Sequence, residues 1–464
     1  MKIPAILSVA LFFGVPLQAE DVVDNLANPN SSQLVLDATD EMAAQAFTSG
    51  PGFTTLDSVT VRLRHFVPGG GSSTAQIQLW GGDGDVPDTF LKLLGTENNF
   101  VTDDEFTFDD FGSLNALLLP DTRYWIVVSY SAGDFEWRNT ADGTITPAST
   151  GTLPEVRATS ADNGSNWTPF TTGNFQKMKV VATPVPGITV TTSADDKDTP
   201  PDGSLRKAIA DAAEGATITF DLPDGDRTIV LDGAELAIDK SLIIDASSLP
   251  GGVVISGDRT GDGPSADDSR IFNITGTSIV VLDSLTITEG RTPDSGDSRG
   301  GGIRSLSTTN VTLRDCTVSH NRARGEGGGM FCGGPMTLSR CTVSHNRAGE
   351  DGGAGSGGGI RADVSETTIL NSTVSHNRAG ARTDGEFDGN GGGGIIVGGT
   401  LHLVNSTVTA NHAGKGDTGK NGGGGGGIAG SSSKYTVFLH NSIVAGNFVG
   451  EAGDGGSPGQ GPDF

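Results

Sequence analysis

The sequence predicts an all-β chain in two parts, an antiparallel β-sandwich followed by a parallel β-helix whose first coil is closed by a short capping helix. Three observations predict it. The segment Cys316-Thr317-Val318-Ser319-His320-Asn321-Arg322-Ala323 returns as Cys341 to Ala348 and again as Ser372 to Ala379. Apolar residues inside the unit alternate at period two, as in Val311-Thr312-Leu313, whereas a helical solenoid would need them at i, i+3 and i+4 over a dozen residues. The region from about residue 20 to 185 lacks the repeat and carries most of the aromatic residues, in strand-like runs separated by Gly, Pro and Asp clusters.

The chain opens with Met1-Lys2 and an apolar run from Ile3 to Leu17, ending Leu17-Gln18-Ala19 before Glu20-Asp21. One positive charge, a short apolar core and a small residue at the cut describe a secretory signal over residues 1–19. The run is too short and wrongly flanked for a membrane span, and no later segment could form one. The mature protein is therefore expected to be exported, extracellular or at the cell surface. A formal net charge of -26 argues against nucleic acid and anionic membranes as partners. Three Cys, an odd number, speak against a disulfide-stapled scaffold.

In residues 20–185 the strand-like runs include Leu56 to Leu63, Ala75 to Trp80 and Arg123 to Val128. Of the four Trp, Trp80 and Trp125 lie in apolar strands and read as core, while Trp137 and Trp167 lie in loop-like sequence and keep a ligand role open. Asp83-Gly84-Asp85 lacks the spacing of a calcium loop and reads as a turn. Ala46-Phe47-Thr48-Ser49-Gly50, Leu56-Asp57-Ser58-Val59, Gln78-Leu79-Trp80 with Val86-Pro87, and Leu119 to Val127 resemble a "choice-of-anchor" domain. That resemblance implies a β-sandwich in an exported bacterial surface protein and implies no reaction.

Pro184-Val185-Pro186-Gly187 reads as a linker into a second domain, residues 186–464. Ser204 can N-cap a helix whose Leu205, Ala208, Ile209 and Ala212 share a face and which stops at Gly215, a plug for the solenoid's open end. Gly203-Ser204-Leu205-Arg206-Lys207-Ala208 resembles the CSLREA-type motif that precedes β-helices in exported bacterial proteins, with Gly203 for its Cys and Lys207 for its Glu. Residues 187–464 as a whole are similar to polymorphic outer-membrane and adhesin-like β-helix proteins. The resemblance, with the crossover rule, implies a right-handed, pectate-lyase-like solenoid. Irregular coils follow, through Thr217 to Phe220, Thr228 to Leu231, Leu236 to Ile238, Ser241 to Asp245, Val253 to Ile255 and Ile271 to Ile274.

In the repeat proper, Val318, Val343, Val374, Val408 and Val444 recur at spacings of 25, 31, 34 and 36 residues, and Ile287 precedes them by 31. Each unit also carries a Gly-Gly-(hydrophobic) step, at Ile303, Met330, Ile360, Ile395 and Ile428, and an apolar position at Leu313, Leu338, Ile369, Leu403 and Leu439. Three short strands per coil, stacked about 4.8 Å apart on the next coil, account for all three. Asn321, Asn346, Asn377, Asn411 and Asn447 end a strand each, where Asn tolerates left-handed backbone and a stacked ladder can satisfy buried turn groups. Asp315, Arg340, Asn371, Asn405 and Asn441 mark a second turn. Cys316 and Cys341 are expected on an inward ladder with Ser372, Ser406 and Ser442, buried and reduced. Unit length is expected to vary only between the Asn and the Gly-Gly step, as in the insertion Ala381 to Asn390. The end, Gly461-Pro462-Asp463-Phe464, shows no capping helix, so a truncated chain or a partner there is expected.

The sharpest candidate for chemistry is the triple His320, His345 and His376, with Arg322, Arg347 and Arg378 two residues on. Stacked imidazoles could ligate a metal. Near-identical duplication that places a polar residue at each strand end explains them better, with the arginines paired to loop acids such as Glu326, Glu350 and Asp351. An acidic polysaccharide is the functional alternative. A β-helix lyase or hydrolase needs clustered carboxylates on one outward face. The outward ladders read as Thr317, Thr342, Thr373 and Thr407, and as Arg304, Phe331, Arg361, Ile396 and Ala429, with no carboxylate pair. Loop acids Asp351, Asp384, Asp388 and Asp417 are scattered among glycines. No residue is assigned as catalytic, cofactor-binding or metal-binding. No cofactor is expected, with calcium left open. The reading is a non-catalytic exported structural or adhesion protein, with surface glycans or other envelope proteins as partners. The rivals are a secreted polysaccharide lyase or hydrolase and a glycan-binding module carried by the sandwich.

Overall fold

The computed structural model describes residues 20–464 apart from 28–32, 38–39, 51, 53, 66–71, 83, 102, 110–116, 120–121, 141–150, 155, 171–174, 262–267, 294–295, 350–354, 364–365, 381–390, 432–434 and 464. The leader at 1–19, the insertion 381–390, and Asp83, Glu350, Asp351, Asp384 and Asp388 therefore lie outside the described residues. Two compact units meet between Pro186 and Gly187.

The first unit is an antiparallel sandwich of an eight-stranded and a six-stranded sheet among the described residues. Alternation puts one face of each strand inside: Val59, Val61 and Leu63 of Thr54–His65 meet Ile77 and Leu79 of Ser73–Gly81 and Ile126 and Val128 of Arg123–Ala132. Trp137 corrects the loop reading. It stands in the strand Phe135–Thr140, fully buried, and its Nε1 donates to Lys177 O at 3.0 Å, which leaves no ligand role for it. Trp125 is core, on the opposite face of its sheet, but Trp80 is only half-buried there.

The second unit is a parallel β-helix of three stacked sheets, with nine, eight and seven strands among the described residues. One coil runs Ile303–Ser305 in the third sheet, Asn310–Arg314 in the first and Thr317–Ser319 in the second. Equivalent residues sit in register: Val318 on Val343, Val343 on Val374, Val374 on Val408 and Val408 on Val444. The helix Leu205–Asp211 starts at Ser204, whose Oγ accepts from Lys207 N, and buries Leu205, Ala208 and Ile209. Lys240 Nζ donates to Ala210 O and Ala212 O at its other end.

Two of the three corners of the coil use the same device: a residue in left-handed backbone followed by a buried side chain that hydrogen-bonds from coil to coil. At the corner after the first sheet the left-handed residues are Ser284, Asp315, Arg340, Asn371, Asn405 and Asn441. The ladder behind them runs Cys341 N to Ser372 Oγ at 2.9 Å, Ser372 N to Ser406 Oγ at 3.0 Å and Ser406 N to Ser442 Oγ at 3.1 Å. Cys316, Cys332 and Cys341 are free and buried. At the corner after the second sheet the structure corrects the sequence reading. The left-handed residues are Glu289, His320, His345, His376 and Ala410, not the asparagines. The Asn side chains instead point inward and bond each other.

That Asn ladder also explains the glycines. A Cβ on Gly329 would lie 2.9 Å from the Asn346 carboxamide, and one on Gly359 would lie 2.9 Å from that of Asn377. The glycine before each of these meets backbone instead, with Gly328 against Arg347 and Gly358 against Arg378 at 2.3 Å. Side chains are excluded at both positions because the coil closes on itself there. Coil length also varies between the third and first sheets, short after Val397 and longer after Gly430, contrary to the single variable place expected.

Candidate functional site

The third sheet carries the candidate site on its outer face. Its outward ladder runs Ala237, Asn273, Arg304, Phe331, Arg361, Ile396 and Ala429. Phe331 and Ile396 are 4% exposed despite pointing outward, and the Arg299 guanidinium lies over the Phe331 ring at 4.4 Å. Beside Asn273 and Arg304 a cleft of about 360 Å³ opens, bounded by Glu235, Asp268, Ser269, Arg270 and Asp297.

The cleft is a lattice of charge pairs spanning coils. Arg270, with its side chain 3% exposed, ion-pairs with Glu235 and donates to the carbonyls of Asp297 at 2.6 Å and Gly300 at 2.9 Å. Burial lowers its pKa, with the Glu235 charge opposing. Glu235 also accepts from Asn273 Nδ2 at 2.5 Å, and Asn273 Oδ1 accepts from Arg304 Nη1 at 2.7 Å. Arg304 Nε reaches Asp297 at 2.7 Å, and Arg299 donates to the same carboxylate at 2.8 and 2.6 Å. The Arg299 bonds, with the Arg304 charge, hold Asp297 well below the usual carboxylate range. An incoming anion would have to break existing pairs to reach these guanidiniums.

A second feature was missed from sequence. Glu289 occupies the corner position that histidine takes in the next three coils, and it hydrogen-bonds the Asp258 carboxyl group. Burial, with that bond and the Asp258 charge, raises the Glu289 pKa, and His320 pulls it down. A carboxyl group whose pKa is raised by burial beside a second acid is raw material for acid–base chemistry. The signal was present in Glu289 replacing His at a repeat position, and one more rung on the outward ladder would have found Asn273.

The residues singled out from sequence are placed differently. His320, His345 and His376 stack in parallel on the exposed corner, with ring centroids 5.0 Å apart. Among the described residues no group of three His, Cys, Asp or Glu is placed to hold a metal ion. Burial and the two flanking imidazoles lower the His345 pKa. Arg322, Arg347 and Arg378 align as backbone bridges, and Glu326 pairs with Arg361 at 3.2 Å, while Glu350 and Asp351 lie outside the described residues. Trp167 meets Trp80 edge-on at 5.7 Å.

Residues 251–449 match the family model described as the right-handed β-helix region. The solenoid is thus a right-handed parallel β-helix, as the crossover rule requires. No curated protein matches the chain significantly. A crystal structure of jun a 1, the major allergen from cedar pollen, aligns at 14% identity over 58% of this chain and 80% of the allergen, with a TM-score of 0.33. No helix among the described residues is long and apolar enough to cross a membrane.

Proposed function

We propose that this is an exported cell-surface or extracellular protein whose right-handed β-helix is a stalk in adhesion or envelope structure, without catalysis of its own. One observation carries the reading: the outward charges of the third sheet are spent on each other. Arg270, Arg304 and Arg361 each bind an acid contributed by another strand or loop, so the polar face ties coils together. The inward Asn and Ser ladders do the same for the buried corners. Export rests on the leader-like residues 1–19, and the resemblance to choice-of-anchor and CSLREA-type bacterial proteins supports a surface setting. N-terminal sequencing of the mature chain, with antibody labelling of intact cells, tests this. The reading expects a start at Glu20 and surface signal, and an unprocessed cytoplasmic chain would overturn it.

One observation favours a second reading, a polysaccharide lyase or hydrolase. The Asp258–Glu289 pair keeps one carboxyl group protonated to higher pH than an isolated glutamate. Calcium at an acidic loop belongs to that reading rather than to the first.

A further inference from the structure

The sandwich carries a recess of about 400 Å³ lined by residues of both its sheets. Val35, from the strand Gln33–Leu36 of the eight-stranded sheet, and Met42, from Met42–Thr48 of the six-stranded sheet, give it an apolar wall, while Leu36 beside Val35 turns into the core. Thr159, Asp162 and Asn166 give it a polar one. The described lining includes the acids Glu41 and Asp162 and neither Lys nor Arg.

The polar wall is held in place without a ligand. Ser160 Oγ donates to Asp162 Oδ1 at 2.8 Å and accepts from Gly164 N at 2.9 Å. The Asp162 carboxylate accepts from Asn166 N at 2.8 Å and from Asn166 Nδ2 at 2.5 Å. Asn163 N donates to Asp40 O at 2.8 Å, tying the loop to the strand connection opposite. A Cβ on Gly164 would lie 2.9 Å from the Trp80 ring, so the loop rests on an aromatic floor.

We propose that this recess binds one neutral pyranose unit of a glycan. A pyranose has an apolar C–H face and a rim of hydroxyls, which matches one apolar and one polar wall. The volume lies in the range of small-molecule sites, and a fixed rim removes part of the ordering cost of binding. The acidic lining disfavours a uronic acid. The site does not depend on the stalk reading, because it belongs to the sandwich alone.

The test is titration of the full chain with methyl glucoside, methyl mannoside, methyl galactoside, N-acetylglucosamine and their trisaccharides, read by tryptophan fluorescence and saturation-transfer NMR. Glucuronate is the charged comparator. The proposal expects a saturable response to at least one neutral sugar, with glucuronate about tenfold weaker or more. It also expects about tenfold weakening in Asn166→Ala, through the lost polar partner, and in Thr159→Lys, which fills the recess. Circular dichroism checks that each variant is folded, and Thr159→Lys leaves the Asp162 turn untouched should Asn166→Ala disturb it. No saturable response to any neutral sugar, or one unchanged in a folded Thr159→Lys chain, would overturn it.

Discussion

Replacing Asn346 by Ala is expected to damage the β-helix far more than its loss of a few atoms suggests. Asn346 is 1% exposed. Its Oδ1 accepts from Asn321 N and from Asn321 Nδ2, both at 3.0 Å, and its Nδ2 donates to Val318 O at 2.9 Å and Asn377 Oδ1 at 3.0 Å. Alanine removes all four bonds and orphans two donors on Asn321. Water cannot replace the carboxamide easily, because Gly329 packs directly on it. At about 1–3 kcal/mol for each unsatisfied buried group, the cost is about 2–6 kcal/mol. The exposed neighbour Thr342 serves as control, since Thr342→Ala should change stability by less than about 0.5 kcal/mol. Repeat arrays can lose cooperativity, so denaturant unfolding is paired with native-state hydrogen exchange. Faster exchange should centre on residues 321–323 and 346–348. A loss below about 1 kcal/mol with unchanged local exchange would refute the claim that the ladder holds the corner.

The remaining predictions concern titration and thiols. Glu289 has a raised pKa, so the native state holds a proton that the unfolded chain releases, and stability falls as pH rises from the unfolded glutamate value through the folded one. Glu289→Gln should remove that slope and leave the protein more stable at pH 7, as urea midpoints across pH will report. His345 has a lowered pKa, so its contribution is complete above the unfolded value of about 6.5 and is lost as pH falls below it. His345→Asn should flatten that limb while keeping the fold, because Asn tolerates the left-handed backbone, whereas His345→Val should cost about 1–2 kcal/mol or more. Burial pushes the Cys332 thiol up to about 12 and raises that of Cys316 well above its usual value. The hydrogen bond from Cys316 lowers the Cys341 pKa, but all three thiols are 2% exposed or less, so an aromatic disulfide reagent should find no reactive thiol in the native chain and three after denaturation.

The coil architecture was readable because stacking imposes the same requirement on every rung. Val at the core, Asn at the corner and Gly-Gly at the closure recur for that reason. The left-handed residue was assigned one position too late. Glu289, His320 and Ala410 have little chemistry in common, whereas Asn is well known for that backbone, so the residue-type argument pointed to the wrong member of the pair. Trp137 was legible in principle, since Phe135 and Trp137 alternate with Glu136 and Arg138. The polar neighbours obscured it because Glu136 is itself buried, 3.2 Å from Arg138. The charge lattice was not legible. Glu235, Arg270 and Asp297 fall in irregular coils and insertions, and only the fold brings them to one cleft. In the sandwich, the recess depends on two strands from different sheets and a turn far along the chain, a combination with no local signature.

The scaffold role proposed for the β-helix is open to a direct test. The most direct measurement incubates the full mature chain with acidic and neutral polysaccharides, with and without calcium, and scores new reducing ends and unsaturated-uronate absorbance. A scaffold gives no product from any polymer, in the parent chain or in Asp258→Asn and Glu289→Gln. Turnover that disappears in either variant would contradict it and make the Asp258–Glu289 pair the centre of an active site.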